Sequence, residues 1–77
     1  MPVGFVLINT SPAKEHEVYN NLLNVKEISE VHPLFGQYDL IVKIEVDTQD
    51  NLGTILVEKI RSLDGIIDTK TLTGTSI

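Results

Sequence analysis

Residues 36–46 read GQYDLIVKIEV, with a glycine, a tyrosine and an aspartate set directly before the alternating apolar positions Leu40, Val42, Ile44 and Val46. Two chemistries suit that corner. In one, Gly36 supplies a backbone conformation that other residues resist, and Asp39 caps the turn through its own side chain. In the other, backbone N–H groups freed at the turn hold a small carboxylate while Asp39 pairs with an ammonium group, which together would suit a free amino acid. The residues alone leave both open.

The remaining reactive side chains form no constellation. His16 lies between Glu15 and Glu17 and reads as a solvated surface histidine, whereas His32, just before Pro33, could line a cleft but has no fixed partner in the sequence. Two histidines and no cysteine give no zinc spacing. Ser11, Ser29, Ser62 and Ser76 lack a nucleophile elbow, and no glycine-rich phosphate loop occurs. The carboxylate pairs Asp47 with Asp50 and Glu15 with Glu17 have spacings that complement a helix N-terminus more often than they share a catalytic proton. The chain therefore reads as non-enzymatic, with no cofactor and no metal.

The elements that must position the corner follow from periodicity. Positions 3–9 are apolar on both faces, Phe5 and Leu7 on one and Val6 and Ile8 on the other, which predicts a central strand covered twice. Ser11 as cap, Pro12 at the first helical position and Glu15 and Glu17 nearby predict a helix whose apolar stripe is Val18, Tyr19, Leu22 and Leu23. Residues 26–35 predict a strand in which Pro33 marks an edge or a bulge. A short turn at Gly36 and Gln37 then opens a strand over 38–47, making a hairpin. Thr48 or Asp47 caps a second helix carrying Leu52, Ile55, Leu56, Ile60 and Leu63, and Gly65 stops it. A last strand runs from 66 to 72 or 73, followed by GTSI as a mobile tail.

That order is α+β, a ferredoxin-like βαββαβ arrangement: an antiparallel four-stranded sheet with two helices on one face. The other face stays bare, with Val6, Ile8 and Ile41 expected there among Lys43 and Glu45, and it predicts dimerisation through the sheet, as in dimeric α+β barrels.

The 77 residues form one domain over 1–77, and a chain of this length buries only about 60% of its unfolded surface. With no cysteine to staple the small core, self-association is the expected source of further stability. The net charge of −5, with the six basic residues scattered singly, argues against direct nucleic-acid binding. The apolar run at 3–8 is far short of the roughly 20 residues that span a bilayer, and no signal-peptide pattern surrounds it, so a cytoplasmic location without membrane contact is expected.

The corner G-x-Y-D-L at 36–40 and the closing pattern of Ile60, Leu63, Gly65, Ile66, Thr69 and Thr71, in that order and spacing, resemble the C-terminal effector-binding and oligomerisation module of the Lrp/AsnC feast/famine transcriptional regulators. The resemblance runs from about Val3 to Thr73. It implies paired sheets, dimers assembled into an octamer or similar ring, and amino-acid effectors in clefts between subunits near the glycine corner. Gly36 would offer backbone amides to the effector carboxylate, Asp39 would meet its amino group, and Tyr38 and Leu40 would shape the wall. Thr71 and Thr73 would contribute hydroxyls from a neighbouring chain. Pro33 and Phe35 depart from the small polar residues more usual before the corner. The resemblance covers no helix-turn-helix reader, so the chain is expected to lack a DNA-binding domain and to act by joining or modulating full-length regulators.

Two readings of other classes stand beside this one. One is a small dimeric α+β barrel enzyme using His32 as acid or base, and the other is a purely structural assembly factor with an empty cleft.

Overall fold

The computed structural model describes residues 3–73. Its elements are β1 (Val3–Thr10), α1 (Glu15–Leu23), β2 (Ile28–Pro33), β3 (Leu40–Glu45), α2 (Gln49–Ile55) and β4 (Ile66–Thr73), with a π-helical turn at Leu56–Ile60 continuing α2. All neighbouring strands are antiparallel, in the order β2-β3-β1-β4. The βαββαβ order is borne out, and so is the central place of β1. Pro33 does sit on an edge strand, where its missing N–H costs no ladder bond. The GTSI segment lies outside the described residues.

The core forms where both helices meet one face of the sheet. Val6 and Ile8 from β1, Leu40, Val42 and Ile44 from β3 and Val31 from β2 pack with Val18 and Leu22 of α1 and with Leu52, Ile55 and Ile60 of the second helical segment. Ile55 and Ile60 are five residues apart, more than the 3.6 of an α-helical turn. The wider π turn brings both to the core, and its i to i−5 bond runs from the Arg61 N–H to the Leu56 carbonyl at 3.0 Å.

The open face is not the one expected. Val6 and Ile8 are wholly buried beneath the helices, while Phe5 and Leu7 share the other face with Ile41, Lys43 and Glu45. The register requires this, because Leu7 lies opposite Ile41 and Phe5 opposite Lys43, whereas Val6 lies opposite Val42. Alternation separates the two sets of β1 residues without saying which set meets the helices. Gly4 decides it, since a Cβ there would come within 2.7 Å of Leu52 Cδ1, so α2 can pack closely only on the side of Gly4, Val6 and Ile8. Leu72 and Lys70 of β4, opposite Phe5 and Leu7, extend the open face.

The helix starts differ in quality. Thr48 caps α2 as expected, its Oγ1 accepting from the Asn51 N–H at 3.2 Å. Ser11 does not cap α1; its carbonyl instead accepts from the Lys14 N–H at 2.9 Å, and Pro12 to Lys14 form a turn before the helix begins at Glu15. Leu23, expected on the apolar stripe, is exposed because α1 ends there.

Gly65 closes the loop after α2 with φ +97°, its carbonyl accepting from the Ser11 N–H at 2.8 Å. A Cβ at this position would lie 2.6 Å from Lys14 Cβ, so the glycine is needed for conformation and for space. Gly65→Ala should therefore destabilise by at least about 2 kcal/mol. Gly53→Ala, inside α2 where a Cβ meets nothing within 4 Å, should stabilise by roughly 0.5–1 kcal/mol. Urea unfolding midpoints of the two variants should move in opposite directions.

Candidate functional site

The corner lies in a six-residue loop, 34–39, that joins β2 to β3. It does not open the strand, because pairing stops at Pro33 opposite Leu40. Gly36 sits at the loop's tip with φ +123° and open space around it, so conformation alone demands glycine there. Tyr38 is half-buried and Leu40 is buried in the core.

Asp39 is bound on three sides. Its carbonyl accepts from the Leu34 N–H at 2.8 Å and closes the loop, while its own N–H donates to the Ile8 carbonyl at 2.9 Å. Its Oδ2 accepts from the Thr10 N–H at 2.9 Å and from Thr10 Oγ1 at 3.3 Å. The side chain therefore fastens the hairpin to the end of β1 and does not cap its own turn. One carboxylate oxygen is taken by this contact; among the described residues Oδ1 has no such partner.

Beneath the hairpin, between its base and the start of α1, is an open groove of about 470 Å³ lined by Pro12, Ala13, Glu15, His16, Tyr19, Pro33 and Leu40. Its walls are mainly apolar, with Glu15 and His16 as the polar groups. Neither the groove nor His16 was legible from sequence. The groove needs the β1–α1 turn brought against Pro33, a contact between segments far apart in the chain. Only Pro12 and Pro33, rigid apolar residues beside turns, hint at it.

Thr71 and Thr73 are not brought to the corner. They sit on β4, opposite Val6 and Gly4, whereas Leu40 lies on β3 opposite Ile8. Two strand spacings, roughly 10 Å, separate the sites across the sheet. Within one chain these threonines cannot share a ligand with Gly36. The Thr71 Oγ1 is buried with no hydrogen-bond partner among the described residues.

His32 points away from the groove, onto the open face of the sheet, where its Nε2 lies 2.9 Å from Glu30 Oε1. The Lys43 Nζ approaches the other Glu30 oxygen at 3.6 Å. The His32 hydrogen bond, and then the Lys43 charge, hold the Glu30 carboxyl below the usual carboxylate range. Among the described residues the group consists of His32, Glu30 and Lys43 on the open face, away from the groove. Beside the groove, the hydrogen bonds that Lys14 donates to Asp64 and then to Glu17 raise its ammonium above its ordinary value. These surface contacts are at least partly exposed and contribute little to stability. Among the described residues no cluster of side chains could hold a metal ion, and no helix is long and apolar enough to cross a membrane.

The described residues form a βαββαβ module with a glycine-tipped hairpin corner above an open groove. A family model described as the Lrp/AsnC ligand binding domain matches residues 3–76, and the chain belongs to that family. It is 36% identical over 70 residues to the HTH-type transcriptional regulator FL11 of Pyrococcus abyssi, a match covering 91% of this chain and 46% of that protein. The chain spans about half the length of the curated relatives it matches, which are named as HTH-type transcriptional regulators. Among solved structures, FFRP-DM1 superposes with a TM-score of 0.93 at 40% identity, covering 97% of this chain and 100% of that one. Escherichia coli AsnC superposes with a TM-score of 0.91 at 25% identity over 99% of this chain and 52% of its own. The resemblance read from the corner and the closing motif is borne out.

Removing the Asp39 carboxylate leaves the buried Thr10 N–H unpaired, so Asp39→Ala should cost about 1–3 kcal/mol in denaturant unfolding. Asp39→Asn keeps an acceptor and should recover most of that loss. Thr71→Val removes a buried hydroxyl that has no partner and should raise stability by up to about 1 kcal/mol in the same assay.

Proposed function

We propose that this chain is an effector-binding and assembly module whose ligand is an amino acid and whose output is the assembly state of Lrp/AsnC-type regulators. The observation that carries the reading is the hairpin corner held over an apolar groove, in a domain of a ligand-binding family. Gly36 and Gln37 present backbone amides at the loop tip to an effector carboxylate. Asp39 Oδ1 meets the ammonium group, Tyr38 and Leu40 form the wall, and the groove receives the side chain. Thr71 and Thr73 take part only from a neighbouring subunit, as their distance from the corner within one chain requires.

Assembly supplies the second half. Phe5, Leu7, Ile41 and Leu72 form an apolar centre on the open face, ringed by Lys43, Glu45, Lys70 and Glu30. A second copy turned by a twofold axis meets that face with the same residues, and opposite charges at its rim set the register. Dimers joined further at the hairpins make rings, octameric in the form that the family resemblance implies. An effector bound between subunits then shifts assembly by its differential affinity for the two states. Full-length regulators carrying the same domain would join through the same surfaces.

One observation favours a second reading. Because Thr10 already takes one Asp39 oxygen, the corner serves structure without any ligand, as it would in an assembly factor with an empty cleft. Native mass spectrometry with each of the twenty amino acids distinguishes the two. Retention of one amino acid per cleft, or a change of mass with it, is the expected outcome. An oligomer indifferent to the whole panel would establish the assembly factor, and a stable monomer would remove the sheet interface.

A further inference from the structure

Phe35 stands at the tip of the β2–β3 loop with 108% exposure, and Leu34 beside it is 37% exposed. A phenylalanine left in water forgoes the stabilisation that burying its ring would provide. Its own groove does not bury it, as its full exposure shows. The loop's one charged side chain, Asp39, is half-buried and held by Thr10 where the loop meets β3, so the tip itself, Phe35 to Gln37, carries no charged residue although the chain as a whole is at −5. Such a tip can approach the Glu15 and His16 rim of another groove without like-charge repulsion.

Knob and hole are neighbours on one hairpin. Phe35 is two residues beyond Pro33, which lines the groove together with Leu40, Tyr19, Ala13 and Pro12. A protrusion lying next to a cavity of matching chemistry is self-complementary about a twofold axis, each copy filling the other, and the contact closes on itself instead of propagating. The groove's 470 Å³ admits a phenyl ring with room to spare. The contact lies on the helix side of the hairpin, so it coexists with sheet-to-sheet pairing on the opposite face.

We infer that Phe35 docks into the hairpin groove of a second copy of this chain, so that each groove is completed by an aromatic ring from its neighbour. The inference rests on the proposed function only in treating that groove as the effector site. There the incoming ring occupies the apolar wall and sets how large an effector side chain the remaining space accepts.

The sequence contains no tryptophan, so Phe35→Trp places a single reporter at the tip. Its emission should shift to the blue as protein concentration rises and the hairpin contact forms. Emission that stays solvent-like at concentrations where native mass spectrometry shows oligomers overturns the inference, as does a failure to form oligomers at all. Phe35→Ala should weaken assembly beyond the sheet-paired dimer at least roughly tenfold, the ordinary consequence of truncating an aromatic anchor. Measured where only the sheet-paired dimer is populated, its thermal midpoint should not change, since the side chain is fully exposed within its own chain. Ala13→Trp, which plugs the groove from within, should produce the same loss, and the double variant with Phe35→Ala should lose no more than either alone. Additive losses would also overturn the inference. Amino-acid retention without the emission shift removes this contact and leaves the effector reading standing; the shift without any retention does the reverse.

Discussion

The Asp39 contacts govern the geometry of the site. One residue closes the loop through its carbonyl, joins β1 through its N–H and holds Thr10 through its carboxylate. The loop's remaining residues, Gly36 among them, lie exposed or half-buried and have no comparable anchor. Strand pairing and core packing hold the body of the hairpin, and these bonds fix its loop against the end of β1. The groove lies where β1, which feeds the turn into α1, meets the base of the hairpin, which supplies Pro33 and Leu40, and the Asp39 contacts extend the β1–β3 pairing to that end of the sheet. The charge-assisted bond to the Thr10 N–H is among the stronger kinds available to a backbone amide, and Thr10 is buried enough to keep water from competing.

Much of the architecture was legible because local and global signals agree. The apolar run of β1, the Thr48 cap, Gly65 and the edge position of Pro33 each follow from one residue's chemistry, and each holds in the structure. What was not legible depends on contacts between distant segments. Alternation in β1 cannot say which face meets the helices, and the deciding residue, Gly4, reveals its role only once Leu52 is seen against it. Ser11 has the right side chain for a cap, but the turn over Pro12 delays the helix and leaves its hydroxyl unused in that role. The corner's position relative to Thr71 and Thr73 required the strand order, which separates them by the width of β1 and its neighbours.

The same limit applies to chemistry. His32, singled out for a cleft, lies on the open sheet face within hydrogen-bond distance of Glu30, while His16, read as ordinary surface, borders the groove. A histidine's role depends on what faces it across the fold, and a single sequence holds no record of that. The G-x-Y-D-L corner was informative for another reason: the steric demand of Gly36 and the bonding capacity of Asp39 are local properties, visible before any tertiary structure.

The sheet order has a consequence for how the molecule is made. β1 is the first strand of the chain, yet its two neighbours are the third and the last, with Gly4 paired to Thr73. During synthesis the first strand emerges with both hydrogen-bonding edges empty and waits for nearly the whole chain before the second edge is filled. Its apolar residues, Phe5 to Ile8, stay uncovered through that interval. Non-local pairing of this kind slows folding and lengthens exposure of an unpaired strand. Until β4 pairs, the open edge of β1 can pair with another chain, and β4 closes that opening.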